Sequence, residues 1–358
     1  MVHGKYVECE GVIDKFLPQD IHVYYFCGGR GIGKTYGALD LCRKIGTGEK
    51  HFDDIDSNEK FLYLRRTATE AATIATPELC PFKKYNSNEG YNINADFNGK
   101  LGFGNFYLDL GKKHHIGYCA GLSTFANLRG VDYSDVSLIL YDECIPENKN
   151  KHPLKDEGYL VLDMLETINR NRALENKPEV IFVMLSNPIE LGNPMLTQLD
   201  LVSILNSMIF KNQERYTSKA RSLHIEKYKD HEVSKEKGEK SMLYRFASTT
   251  GYNERSLSGD FVTADLDLIK SSEPLNSYVP YIRIENICIY EHKSNGTFYV
   301  SQKLNKCKHT FKARQQDLIR ELFYWRYKKL MIYRMIFFDN YATKVVLESM
   351  LNYKPTFG

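Results

Sequence analysis

The segment VYYFCGGRGIGKT, residues 23–35, joins an apolar run to a glycine-rich loop. Residues 28–35 fit the pattern G-x-x-x-x-G-K-[ST], and the flanking sequence predicts a strand at His22–Cys27 and a helix at Lys34–Lys44. Glycines allow such a loop to turn its backbone N–H groups toward phosphate oxygens at the positive end of the helix. A chance Lys-Thr pair after a glycine-rich turn is the alternative, and it leaves the matching strand and helix unexplained.

The residues predicted to bind nucleotide occupy the whole loop and the start of the helix. They are Gly28, Gly29, Arg30, Gly31, Ile32, Gly33, Lys34 and Thr35. In this pattern the lysine reaches the β- and γ-phosphates of a nucleoside triphosphate, and the hydroxyl of Thr35 is a ligand of Mg²⁺. The sequence therefore predicts ATP and Mg²⁺ as cofactors.

A second apolar run, Val136–Tyr141, is typical of a buried parallel strand and ends in two adjacent carboxylates. Asp142 suits the binding of Mg²⁺, and Glu143 suits the orientation of an attacking water molecule. A strand that ends in two exposed acids is the simpler alternative. Because the sequence has no N-K-x-D motif for reading guanine, and because a kinase must exclude water, we predict ATP hydrolysis.

Two further polar positions follow in the chain. The run Val180–Leu185 predicts another central strand, which places Asn187 at the carboxyl edge of the sheet, where it could sense the γ-phosphate or simply start a turn before Pro188. Arg170 closes the helix that follows the acidic strand, either as a solvated helix end or as an arginine that completes a neighbouring subunit's site.

Length and composition limit the possible classes of protein. A chain of 358 residues with 42% hydrophobic and 26% charged residues indicates a globular protein of two or three domains. We expect no secretory leader and no apolar stretch of the roughly 18–20 residues that a membrane span needs. The eight cysteines form no C-x-x-C pair, so we expect a reducing cytosol and no structural zinc.

The domain prediction is an α/β P-loop domain of the ASCE type, with a mostly parallel sheet, at residues 1–205. A charged linker follows at 206–240 and a smaller α+β domain at 241–358. The last 58 residues carry twelve Lys and Arg against four Asp and Glu, although the net charge of the chain is only +3. Such a segment suits either a polyanion or a solvated helix face. Arg326, Lys328 and Lys329 are its candidates for binding DNA.

These motifs, taken together, resemble the small DNA-packaging ATPases (encapsidation motors) of phi29-like tailed bacteriophages, which are related to large terminase subunits. The similarity is densest between about residues 23 and 193. It rests on GGRGIGKT at 28–35, YLRR at 63–66, LILYDE at 138–143, INRNR at 168–172 and MLSN at 184–187.

The resemblance implies roles that the residue pattern alone leaves open. The first arginine of the R-N-R run, here Arg170, acts in trans on the ATP of a neighbouring subunit. A second trans residue is a lysine in the family, and Arg129, thirteen residues before Asp142, takes its place here. Arg65 and Arg66 could face the nucleotide or the DNA. The C-terminal domain is expected to be RNase H-like, with its nuclease activity lost.

The predicted function is ATP-driven translocation of double-stranded viral DNA into a preformed prohead. The resemblance implies a homo-oligomeric ring, a pentamer, with the phage portal and a packaging RNA as further partners. We expect the protein in the host cytoplasm and transiently at the portal vertex, not in a membrane. The alternatives are another ring DNA translocase or helicase, or a terminase with an active endonuclease.

Overall fold

The fold was obtained as a computed structural model, which describes residues 7–53, 58–125, 131–145, 156–188, 191, 193–228, 241–246, 268–270 and 273–353. The chain divides into two units. The first comprises Met1–Ile189 and Met208–Val262, and the second comprises Glu190–Ser207 and Thr263–Gly358. Each unit is described by itself.

The first unit is built around a nine-stranded sheet of order β3-β4-β5-β2-β6-β7-β1-β9-β8. Its strands are β1 (Val23–Gly28), β2 (Lys60–Arg65), β3 (Ile93–Asn98), β4 (Phe103–Asp109), β5 (Lys113–Gly121), β6 (Val136–Tyr141), β7 (Ile181–Ser186), β8 (Arg215–Ser218) and β9 (Leu223–Tyr228). The six strands from β5 to β9 in this order are parallel, and β3, β4 and β8 are antiparallel additions. The predicted mostly parallel α/β sheet is confirmed.

Helices flank this sheet. They are α1 (Cys9–Phe16), α2 (Lys34–Gly46), α3 (Ala68–Ile74), α4 (Lys83–Glu89), α5 (Leu122–Phe125) and α6 (Glu157–Leu174). Every residue of β6 and β7 is buried, as expected of parallel strands that are covered on both faces. The carboxyl ends of these strands therefore open at one edge of the sheet, where a ligand can reach them.

The segment predicted as a charged linker, residues 206–240, contains the end of α8 and two strands of the first sheet. Its residues 215–218 and 223–228 form β8 and β9, and β9 pairs in parallel with β1 over its whole length. Buried polar side chains of β9 have hydrogen-bond partners. Nε2 of His224 lies 3.0 Å from Oε1 of Glu226, and its Nδ1 lies 2.8 Å from Oγ1 of Thr217 on β8. From composition alone, such a charged segment is expected to be exposed to solvent. Residues 229–240 lie outside the described part of the chain.

Three short helices follow β7 in the described part of the chain. They are α7 (Pro194–Gln198), α8 (Val202–Phe210) and α9 (Met242–Phe246). The unit boundary falls within α8, so a domain limit at residue 205 does not coincide with the end of a secondary-structure element.

The second unit contains a five-stranded mixed sheet of order β13-β10-β11-β12-β14. Its strands are β10 (Tyr278–Ile284), β11 (Ile287–His292), β12 (Phe298–Ser301), β13 (His309–Phe311) and β14 (Ile336–Phe338), and its main helices are α10 (Gln316–Ile332) and α11 (Tyr341–Leu351). Residues 294–296 lie in the turn that joins the antiparallel strands β11 and β12. Strand β14 separates α10 from α11, and its residues Ile336 and Phe338 are buried in the core of this unit.

No helix in the described part of the chain is long and apolar enough to span a membrane. All eight cysteines are free, and seven of them are buried.

Candidate nucleotide site

The phosphate loop connects β1 to α2, as the sequence predicts. Gly31 and Gly33 have φ angles of 77° and 92°, in the left-handed region that side chains with a Cβ atom rarely adopt. Gly28 has no space for a side chain, since a Cβ atom there would lie 2.7 Å from Cδ1 of Ile32 and 2.8 Å from Cβ of Tyr228. Packing and backbone conformation therefore both require glycine in this loop.

Lys34 is folded back onto the loop. Its Nζ donates to the carbonyl oxygens of Gly28 (2.6 Å) and Gly29 (2.9 Å) and to Oδ1 of Asn187 (3.1 Å). Burial lowers the pKa of Lys34 to about 8. The structure thus brings Asn187, from the carboxyl end of β7, to the lysine of the phosphate loop.

Asp142 is buried at the end of β6, and its carboxylate accepts three hydrogen bonds. Its Oδ1 accepts hydrogen bonds from Oγ1 of Thr35 (3.2 Å) and from the backbone N–H of Glu143 (3.0 Å), and its Oδ2 accepts one from the hydroxyl of Tyr63 (2.6 Å). Burial raises the pKa of Asp142, and the hydrogen bond from Tyr63 and the charge of Arg65 oppose that increase. Tyr63 belongs to the YLRR run, but the local sequence does not indicate this contact, because Asp142 is 79 residues away in the chain.

The residues present fit a magnesium ion. The hydroxyl of Thr35 and the carboxylate of Asp142 are oxygen ligands, which Mg²⁺ prefers, and it usually takes few protein ligands together with phosphates and water. Among the described residues, no group of three or more His, Cys, Asp or Glu side chains is suited to a metal. In magnesium sites of this kind the other ligands are usually phosphate oxygens and water molecules.

Glu143 turns its side chain toward the cleft from a left-handed backbone conformation, with a φ angle of 51°. Its side chain is 57% exposed, and its carboxylate forms an ion pair with NH2 of Arg65. Arg65, at the end of β2, is only 13% exposed, and its NH1 lies 3.7 Å from Oδ2 of Asp142. Of the two roles that the sequence left open for Arg65, the structure favours a position at the nucleotide cleft over one facing DNA.

Arg66 points away from this cleft. Its Nε and NH2 donate to the two carboxylate oxygens of Glu157, over 2.8 Å and 3.0 Å, and Glu157 also accepts from the hydroxyl of Tyr141 (2.6 Å). Both partners of this ion pair are buried. The prediction of Arg66 as a DNA-binding residue is therefore wrong, because its charge is neutralised inside the first unit, where it fixes the start of α6.

The R-N-R run at the end of α6 places its two arginines differently. Arg170 is exposed, whereas Arg172 is 1% exposed and donates to the carbonyl oxygens of Pro178 (2.7 Å), Ser134 (3.2 Å) and Val136 (2.9 Å). Two helical positions differ by about 200° around the axis, so one side chain can be buried while the other faces solvent. Arg129 lies outside the described residues.

The basic residues of α10 belong to the second unit. Arg326 donates to Oε1 of Glu291 (2.6 Å), and its guanidinium lies 4.5 Å from the ring centroid of Phe298. Nζ of Lys328 lies 5.6 Å from the ring of Trp325, and Lys329 is exposed. Arg326 is thus partly committed to contacts within its own unit, and the role of all three in DNA binding stays a prediction.

The phosphate loop, Asp142, Glu143 and Asn187 line one cleft of about 470 Å³. One strand, β7, lies between the strand that precedes the loop and the strand that ends in the acids. These features define a P-loop protein of the ASCE type, in which an additional central strand accompanies a glutamate directly after the aspartate at the end of the acidic strand.

The chain belongs to the family of podovirus DNA encapsidation proteins (Gp16), whose family model matches residues 12–344. The DNA packaging proteins of Bacillus phages phi29 and PZA are each 28% identical over 250 residues, which cover 69% of this chain and 64% of theirs. The match thus spans a little under two thirds of these two relatives. The corresponding protein of Bacillus phage B103 is 28% identical over 262 residues, or 73% of this chain and 70% of that protein.

Two solved structures share the fold over nearly the whole chain. The bacteriophage Phi-29 viral genome packaging motor assembly matches with a TM-score of 0.62 and 18% identity, covering 98% of this chain and 99% of the other. The Phi-28 gp11 DNA packaging motor matches with a TM-score of 0.60 and 15% identity, covering 96% and 98%. The family resemblance drawn from the sequence motifs is confirmed.

The Arg66–Glu157 pair gives a stability prediction. Replacing Arg66 by Ala leaves a buried carboxylate unpaired, so we expect the first unit to lose about 3–5 kcal/mol of unfolding free energy in a denaturant titration. The double variant Arg66→Met/Glu157→Leu should recover much of this loss, because it leaves neither charge buried. A loss below about 1 kcal/mol in Arg66→Ala would contradict a buried, neutralised role for Arg66.

Proposed function

We propose that this protein hydrolyses ATP and uses the energy, as a subunit of a ring-shaped motor, to move double-stranded viral DNA into a preformed prohead. The observation that carries the proposal is the cleft itself, in which Lys34 and Thr35 at the start of α2 meet Asp142 and Glu143 at the end of β6. Membership of the encapsidation family supports DNA packaging as the process that this hydrolysis drives.

In the proposed reaction each group of the cleft has one task. The loop N–H groups and Lys34 bind the phosphates, and in doing so Lys34 exchanges its carbonyl partners for phosphate oxygens. Thr35 and Asp142 hold Mg²⁺, which neutralises charge on the phosphates when bound. The carboxylate of Glu143 orients water toward the γ-phosphate, with Arg65 fixing its position, and the amide of Asn187 contacts the same region.

Arg170 is proposed to act on the nucleotide of a neighbouring subunit. It is exposed and lies two residues from an anchored arginine, so it can reach beyond its own chain while its backbone is fixed. An arginine supplied in this way contributes about 10³–10⁵ to the rate in other phosphoryl-transfer proteins. Arg129 is proposed as a second residue of this kind.

The proposed partners are double-stranded DNA, further copies of the chain in a ring, the phage portal and a packaging RNA, with a pentamer as the expected ring. The names of the DNA packaging proteins of the Bacillus phages and of the solved motor assembly support DNA and a motor assembly, whereas the portal, the packaging RNA and the pentamer rest on the motif resemblance. Cations that contact the DNA backbone bind it without regard to sequence, as packaging of a whole genome requires, and Lys328 and Lys329 are the candidates. The proposed site of action is the portal vertex, in the host cytoplasm.

The direct test of this function is phosphate release from ATP, measured with and without proheads and DNA. We expect turnover to rise strongly only when prohead and DNA are both present. Equal stimulation by free DNA alone would instead indicate another translocase or helicase. Linearisation of a plasmid in the presence of Mg²⁺ or Mn²⁺ would indicate a terminase with an active nuclease.

The role of Glu143 predicts a separation of binding from hydrolysis. Glu143→Gln keeps the size of the side chain but removes the base, so turnover should fall by about 10²-fold or more while ATP affinity changes little. Steady-state phosphate release and equilibrium ATP binding measure the two quantities. Glu166→Gln, at an exposed position on α6, serves as the matched control. Turnover within about twofold of the wild type in Glu143→Gln would remove the base assignment.

The role of Arg170 predicts a defect that mixing reveals. Arg170→Ala should bind ATP normally and lose hydrolysis that depends on assembly, because the missing group belongs to the neighbour's site. Mixing it with Glu143→Gln should restore part of the turnover, since some interfaces then combine an intact Glu143 with an intact Arg170. Mixtures that show no more activity than the sum of the two separate variants would argue against action in trans.

The lowered pKa of Lys34 predicts a pH dependence of nucleotide binding. Bound phosphates raise the pKa of this lysine above its value of about 8 in the free protein, so binding takes up a proton at high pH. ATP affinity should be constant below about pH 7 and should fall toward tenfold per pH unit above about pH 8. In Lys34→Arg the guanidinium stays charged, so its weaker affinity should not change over that range. Parallel pH profiles for the two proteins would exclude Lys34 as the titrating group.

A further inference from the structure

A second cavity, of about 790 Å³, adjoins the phosphate cleft within the first unit. The two share only Gly31, Gly33 and Tyr36 among their lining residues, so Tyr36 provides the one side chain between them. The volume is within the range of about 300–1,000 Å³ that ligand sites occupy. The cavity is lined by the start of the described chain, by α2 and by α4, and the side chains of Lys34, Thr35, Asp142 and Glu143 do not line it.

The wall formed by the N-terminal segment is fixed to the phosphate loop. The backbone N–H of Val7 donates to the carbonyl oxygen of Ile32 over 3.1 Å. At Gly37, a Cβ atom would lie 2.4 Å from the carbonyl oxygen of Val7, so this segment rests directly on the backbone of α2. The cavity therefore has a built wall whose position depends on the loop.

Tyr36 is held in place at the junction of the two cavities. Its hydroxyl donates to Oε1 of Glu89 on α4 over 2.7 Å, and its ring centroid lies 5.3 Å from that of Tyr85. An aromatic ring fixed in this way offers a preorganised surface for stacking, because little side-chain entropy remains to be lost on binding.

The charges around the cavity favour a neutral ligand group. The lining includes the acids Glu8, Glu10, Asp14, Asp40 and Glu89 against the bases Lys44 and Lys84. Nζ of Lys44 is paired with Glu10 (2.6 Å) and Asp40 (3.1 Å). An excess of acids, with Lys44 already paired, repels a further phosphate or a nucleic-acid backbone, whereas a heterocyclic base carries no charge at neutral pH.

We propose that this cavity binds the nucleoside half of the nucleotide, with a purine base stacked on the ring of Tyr36. The inference rests on the proposed function. Phosphates bound at the N-terminus of α2 lie beside Lys34 and Thr35, and Tyr36 follows them directly, so the group attached to the phosphates leaves past this ring. Tyr36 is then a residue that determines affinity for the nucleoside and leaves phosphate binding to the loop.

The test compares ATP with inorganic tripolyphosphate, which has the phosphates but no nucleoside. In Tyr36→Ala, the loss of stacking should weaken ATP binding between about fivefold and about a hundredfold, while tripolyphosphate binding stays within about twofold. Tyr36→Phe keeps the ring and should bind ATP nearly as the wild type does. Tyr91→Ala removes a nearby tyrosine that does not line the cavity, and should leave both affinities unchanged.

The outcomes separate this inference from the proposed function. Equal weakening of ATP and tripolyphosphate in Tyr36→Ala, or unchanged ATP binding, overturns the nucleoside cavity while ATP hydrolysis by the wild type stands. A wild-type protein that binds neither compound overturns both proposals.

Photo-crosslinking of the wild-type protein with 8-azido-ATP gives a measurement that needs no variant. Label should enter peptides that contain residues 7–14 or 84–89, and excess ATP should prevent it. Label found only in other peptides contradicts the assignment.

Discussion

The buried carboxylate of Asp142 is the interaction on which the arrangement of the cleft depends. It accepts hydrogen bonds from Thr35 at the start of α2 and from Tyr63 on β2, and so it joins three elements that are far apart in the chain. A carboxylate can stay buried only when its lost hydration is replaced, and these two hydroxyl groups supply that replacement. The contacts that hold the acid in place therefore also fix the distance between the phosphate loop and the carboxyl edge of the sheet.

Two opposite charges are thus fixed near each other before any nucleotide arrives. Burial disfavours the charged form of both groups, so the pKa of Asp142 is raised and the pKa of Lys34 is lowered. Under the proposed function, a triphosphate with its magnesium ion supplies each of them with a partner of the opposite sign. Binding then relieves an electrostatic cost that folding has already incurred, which is a general property of preorganised sites.

The parts of the site that the sequence predicted are those whose signal is local. The loop, the acidic strand end and Asn187 each follow an apolar run, and the parallel arrangement brings their ends together. The roles of Arg66, Tyr63 and β9 could not be predicted in this way, because they depend on partners such as Glu157 that are distant in sequence. A buried arginine or histidine looks like a solvated one until its partner is known. For that reason, the charge-rich composition of the predicted linker gave no indication of β9.

The first unit has two pairs of arginines, Arg65 with Arg66 and Arg170 with Arg172, and one arginine of each pair holds helix α6 in place. In each pair one arginine is buried and the other is presented: Arg66 and Arg172 are buried, while Arg65 reaches the cleft and Arg170 faces solvent. The buried members hold opposite ends of α6, since Arg66 binds its first residue, Glu157, and Arg172 binds backbone carbonyls at the start of β6. A helix fixed at both ends leaves Arg170 little freedom beyond its own side chain. The action in trans proposed for Arg170 needs this rigidity, because a displacement of about 1 Å can cost about 10²-fold in rate. The second arginine of the R-N-R run therefore supports the first by anchoring the backbone from which Arg170 projects.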